Sequence, residues 1–164
     1  MVKNTKYLAT MGILLAVALV MTLLEGLFAG FMPMGIRIGL ANVAILFALF
    51  AFGGKSAFTI VILKAIFVFL TRGVTAFGMS LCGGILAFAV TFLLFKGKKS
   101  SILLISVCGA ISHNLGQIIL ATIITNSINT LLYAPVLIIS GTIAGICTGL
   151  VLKVVLPAID KLEI

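Results

Sequence analysis

The feature that most constrains this chain is its succession of long apolar runs. Residues 8–28, 37–53, 57–71, 75–95, 101–125 and 134–155 each carry at most one charged side chain. A helix needs about 20 mostly apolar residues to cross a bilayer, so 164 residues hold six crossings, or at most seven. The runs show no alternation of period two, which rules for helices and against the strands of a membrane barrel. Composition agrees: 63% of residues are hydrophobic and 9% charged, against roughly a quarter charged in soluble domains. The expectation is an all-α, polytopic membrane protein with six transmembrane helices, forming one integral membrane domain over residues 1–164.

A basic start, Lys3 and Lys6, precedes the first run, which also holds an Ala16-x-Ala18 pair. That layout resembles a cleaved signal peptide, but the run exceeds the roughly 7–15 residues of a signal core and further spans follow. It reads as the first span. Gly12 and Ala16 put small residues on one face of it, a device for close helix approach.

The net charge of +8 is a matter of topology and carries no sign of a nucleic-acid partner. With a cytoplasmic N-terminus, Lys3, Lys6, Lys55, Lys96, Lys98, Lys99, Lys153 and Lys161 lie inside, and Arg37 and Arg72 outside. This positive-inside bias predicts that both termini are cytoplasmic.

The fifth run contains Ser112-His113-Asn114-Leu115-Gly116-Gln117 in otherwise apolar surroundings. At ~1.5 Å per residue, His113 falls near the bilayer midplane, and His113 and Gln117 share a helix face. Gly109 and Gly116 leave room for something to approach. Polar groups at that depth are costly unless they meet a partner or line a wet cavity, which makes them candidate functional groups. Lys64 lies ~12 Å from either end of the third run and should face the bundle interior, unless it snorkels along a short tilted helix. Asn42, Glu25, Arg37 and Arg72 sit nearer the outer face. Together these residues predict a pocket open to the outside, with donors suited to an anionic or carbonyl-bearing solute. The Met- and Phe-rich connection 29–36 reads as a lid or as a plain interfacial turn.

The same inventory argues against catalysis. Holding Mg²⁺ against a diphosphate requires clustered carboxylates, and the chain has three acids, Glu25, Asp160 and Glu163. A lone histidine among amides makes a poor zinc site. Gly54-Lys55-Ser56 resembles the end of a phosphate-binding loop, but Leu49 occupies the position of its first glycine. Cys82, Cys108 and Cys147 stand singly in apolar runs and read as packing residues. No cofactor is expected.

The strings RIGLAN (37–42), AFGGKSA (51–57), GG (83–84), GAISHNLGQ (109–117) and YAPVLIISGTIAGICTG (133–149) resemble the bacterial membrane family called heptaprenyl diphosphate synthase component I, also the Gx transporter family. Its members resemble the substrate-binding S components of energy-coupling factor (ECF) transporters. Such proteins capture a vitamin-like solute from outside and work with a transmembrane T component and two ATPase subunits. The resemblance implies a bacterial plasma-membrane protein, and the residues read above as a pocket, Glu25, Arg37, Asn42, Lys64, Arg72, His113, Asn114 and Gln117, are then the expected ligand contacts. It also implies a T-component docking face at Gly12 and Ala16, and closure of loop 29–36 over the ligand. The family pattern has arginine where this chain has Lys64, which keeps the charge but gives up planar bidentate recognition. Two other readings remain: a non-catalytic membrane accessory of isoprenoid or quinone metabolism, and a stand-alone facilitator. The facilitator would need a continuous path through the apolar inner half.

Overall fold

The computed structural model describes residues 2–28 and 39–160. It is helical throughout these residues: α1 (Val2–Phe28), α2 (Asn42–Phe52), α3 (Gly54–Lys96), α4 (Ile102–Thr125), a 3₁₀ turn (Ile128–Tyr133) and α5 (Ala134–Asp160). Four helices, α1, α3, α4 and α5, are long and apolar enough to cross a membrane. This fits a multi-pass membrane protein.

One expected boundary is corrected. The second apolar run was expected to be helical from residue 37, but α2 begins at Asn42 and has 11 residues, ~16 Å at the helical rise and short of a ~30 Å hydrocarbon core. The third and fourth runs, expected as separate helices, are the two halves of the 43-residue α3, which meet at non-helical backbone at Gly73. A straight helix of that length would measure ~65 Å, twice the bilayer core, and it doubles back instead. Phe69 meets Phe77, and Phe58 meets Phe88, with ring centroids 5.7 and 5.2 Å apart. Those pairs define two antiparallel arms, 54–72 and 74–96. The reversals at Gly53 (φ 86°, ψ −178°) and Gly73 (φ 82°, ψ −174°) share one backbone conformation. It belongs almost exclusively to glycine, because a Cβ would be strained there.

α4 is the central helix. More than half of its apolar window is buried, 56% against 17% for α1, between the second arm of α3 and α5. Small residues set that spacing. A Cβ on Gly116 would lie 2.8 Å from the Gly83 Cα, and one on Gly145 would stand 3.0 Å from the Ser106 carbonyl oxygen. In lipid, where burying apolar surface gives helices little reason to associate, such backbone-to-backbone approach is what holds them together. A hydrophobic cluster built on Leu49, Ile60, Val61, Ile105 and Leu152 joins α2, α3, α4 and α5 toward one end of the bundle.

That end is also where lysines gather. Tyr7 hydrogen-bonds Ser56 at 2.9 Å, Gly54 abuts Phe92, Leu103 abuts Gly149, and Phe50 meets Phe95. Lys6, Lys55, Lys96, Lys98, Lys99 and Lys153 adjoin these contacts in sequence. The opposite end holds Arg72, whose Nη2 donates to the Thr22 carbonyl at 2.8 Å.

Candidate binding site within the helical bundle

The site is built outward from α4. Ser101 caps this helix by accepting the Leu104 N–H at 3.2 Å, and Asn126, at φ 48°, closes it in the left-handed conformation. Between those ends His113, Asn114 and Gln117 are all buried. Gln117 Nε2 donates to His113 Nε2 at 3.0 Å, so the pair predicted to share a face is joined by a hydrogen bond. Gly83 lies against it: a Cβ there would stand 2.9 Å from His113 Nδ1 and 3.0 Å from Gln117 Cγ.

Gly39 brings a second element to the same place. A Cβ on Gly39 would lie 3.0 Å from Asn42 Nδ2 and 3.2 Å from His113 Cδ2, so this backbone sits directly against both side chains. Lys64 reaches the same depth. It and Asn42 each lie eleven residues from the reversal at Gly53, and the packing of Val61 on Gly84 and of Phe58 on Phe88 puts Lys64 level with Leu81 and Cys82, beside Gly83 in the chain. Lys64 is 3% exposed and Asn42 5%. Asn42, Lys64, Gln117 and His113 therefore converge at one level of the bundle, supplied by α2, the first arm of α3, and α4.

Asn42 differs from its neighbours in hydrogen bonding. Both its amide nitrogen and its amide oxygen are buried with no hydrogen-bond partner among the described residues. A stranded buried group of this kind costs about 1–3 kcal/mol, and most buried amides avoid it. Toward the lysine-rich end, Asn42 borders a cavity of about 10 Å³ beside Gly84, Thr91 and Gly109, room for one water at most.

The other expected site residues are placed differently. Asn114 is turned away from His113 and faces α5, where its Nδ2 donates to the Leu137 carbonyl at 2.8 Å and packs on Gly141. Its immediate role is to tie α4 to α5. Glu25 is buried, and its carboxylate accepts the Ala41 N–H at 3.2 Å, a favourable place for an anion at the start of α2. Arg72 lies across Gly26 and binds the end of α1. Arg37 and the loop 29–36 lie outside the described residues. The room at Gly116 is filled by the backbone of Cys82 and Gly83, and the room at Gly109 by Thr91, so both glycines admit a neighbouring helix. Cys147, expected to pack, is exposed. Gly12 and Ala16 are exposed, with nothing within 4 Å of a Cβ on Gly12.

The sequence reading missed Gly39 as the wall of the site, and the Ala41–Glu25 and Arg72–Thr22 contacts. A glycine three residues before a membrane-embedded asparagine was the available signal for the first. The other two depend on tertiary placement that spacing does not encode.

A helical chain with several bilayer-length apolar helices and a polar cluster buried among them defines the class: a multi-pass membrane protein. Within that class, a family model described as heptaprenyl diphosphate synthase component I matches residues 14–155, and the chain belongs to that family. No curated protein and no solved structure matches it.

Proposed function

We propose that this chain is the substrate-binding membrane subunit, the S component, of an ECF-type importer. It would capture a small vitamin-like, anionic or amphipathic solute from outside the cell for ATP-driven uptake. The observation that carries this reading is the Asn42 amide, buried without a partner among the described residues, beside His113 and level with Lys64. Unused donor and acceptor capacity at that depth is what a solute bearing carbonyl or carboxylate groups would satisfy. In this reading Asn42, Lys64, His113 and Gln117 contact the solute, with Glu25, Arg37 and Arg72 at the outer rim, while Asn114 holds the wall.

In this reading the six crossings are α1, the apolar run 37–53 that ends in the short helix α2, the two arms of α3, α4 and α5. The lysine-rich end faces the cytoplasm by the positive-inside bias, both termini are cytoplasmic, and the site opens outward from the bacterial plasma membrane. The open face of α1 at Gly12 and Ala16 would receive the T component, which couples the chain to two ATPase subunits. The chain itself would bind without turnover. The test is coexpression with an ECF T component and its ATPases: retention of all three through purification supports the reading, and their absence argues against it.

The description of the matched family, heptaprenyl diphosphate synthase component I, favours a second reading, a non-catalytic membrane accessory of a prenyl synthase with a partner subunit. Unchanged polyprenyl products in a deletion strain would remove it.

A further inference from the structure

A second cavity lies at the lysine-rich end, on the far side of the core from Asn42. It has a volume of about 540 Å³ and is lined by Phe50, Phe92, Phe95, Lys96, Lys98 and Ser100, among others. The three rings make an apolar floor, with Phe50 and Phe95 packed edge to face at 5.3 Å. Lys96 and Lys98 are exposed at its rim, and among the described residues no carboxylate lines it to offset their charge. Lys98 is held at φ 56°, in the left-handed region that non-glycine residues adopt at a cost. The N-terminal end of α4, which carries partial positive charge, begins just beyond Ser100.

We infer that this cavity binds an anionic phospholipid, with the phosphate headgroup on Lys96 and Lys98 and the start of an acyl chain on the phenylalanine floor. The two halves of the cavity match the two halves of that molecule. A soluble anion would leave the rings unused, and a zwitterionic lipid would bring a cation against two lysines. Volumes of about 300–1,000 Å³ suit ligands of this size, and basic pockets between membrane helices recognise anionic headgroups in this way. The assignment does not depend on the solute-binding reading, since the cavity shares no residue with the Asn42 and His113 site.

The chain has no tryptophan, so Phe95→Trp puts a single tryptophan into the cavity wall. The protein carrying F95W is reconstituted with brominated phosphatidylglycerol or brominated phosphatidylcholine, which quench tryptophan on contact. Half-maximal quenching is expected at an about 25-fold lower mole fraction of the anionic lipid. Adding K96Q and K98Q should abolish that preference, at about fivefold per lysine, while adding K6Q and K153Q at the same end should leave it. Equal quenching by both lipids overturns the inference, as does a preference that survives K96Q/K98Q or falls equally with K6Q/K153Q. Displacement of the brominated lipid by stoichiometric farnesyl diphosphate would reassign the cavity to prenyl diphosphates and also overturn it. If F95W does not fold, native mass spectrometry of the protein without tryptophan gives the same comparison. Retained phosphatidylglycerol lost in K96Q/K98Q supports the site, and retention unchanged by that pair contradicts it.

Discussion

Gly83→Ala tests whether the contact between the second arm of α3 and α4 is closed down to the backbone. The added methyl would stand 2.7 Å from the His113 carbonyl oxygen, 2.9 Å from His113 Nδ1 and 3.0 Å from Gln117 Cγ. Ordinary contacts lie at about 3.4–4 Å, so α4 has to retreat by roughly 0.7 Å. The His113 ring cannot simply swing aside, since its Nε2 is bonded to Gln117 at 3.0 Å. Overpacking of this kind costs about 1–3 kcal/mol, a 5- to 150-fold rise in the unfolding constant at about 1.4 kcal/mol per tenfold. Gly78→Ala is the control on the same interface, because its methyl would meet the flexible tip of Leu120 at 3.0 Å and should cost under about 1 kcal/mol. Gly116→Ala enters the same gap as Gly83→Ala, its methyl lying 2.8 Å from the Gly83 Cα. The double variant should therefore lose less than the sum of the two singles. Reversible SDS unfolding in mixed micelles measures all four variants. Equal costs for Gly83→Ala and Gly78→Ala, or strict additivity with Gly116→Ala, would refute a backbone-tight contact.

Asn114→Ala removes the bond to the Leu137 carbonyl and should lower stability by about 1 kcal/mol, the scale of interhelical hydrogen bonds in membranes. The amount of co-purifying solute should stay unchanged, and its loss in mass spectra would return Asn114 to the binding set. Gly73→Ala places a Cβ at φ 82° with open space around it. Its expected cost of about 1–3 kcal/mol in the same SDS titration is therefore purely conformational, and an unchanged midpoint would mean that the reversal does not need glycine. Gly12→Leu, on the open face of α1, should leave the midpoint in place and abolish capture of coexpressed ATPase subunits. Capture at the normal level would move the docking face elsewhere.

Much of the helical architecture was legible because the bilayer imposes a length on apolar runs. The reversals at Gly53 and Gly73 coincide with breaks in hydropathy, and the 3.6-residue period put His113 and Gln117 on one face. Three things were not legible. The start of α2 at Asn42 depends on the Glu25 carboxylate reaching the Ala41 N–H from another helix. Asn114 sits one residue from His113, so it points about 100° away, but which of the two faces α5 is set by Gly141. The glycines at 109 and 116 advertise close approach without saying whether a helix or a solute does the approaching.

The account turns on Asn42, whose amide is buried and has no partner among the described residues. Replacing it with leucine removes a stranded polar group, so Asn42→Leu should fold at least as stably as the wild type. The decisive measurement is untargeted mass spectrometry of small molecules released from the purified wild-type and Asn42→Leu proteins. The account predicts a solute bearing carbonyl or carboxylate groups that co-purifies with the wild type and is depleted at least tenfold from the variant. The same solute held equally by both proteins, or none held by the wild type, would contradict it.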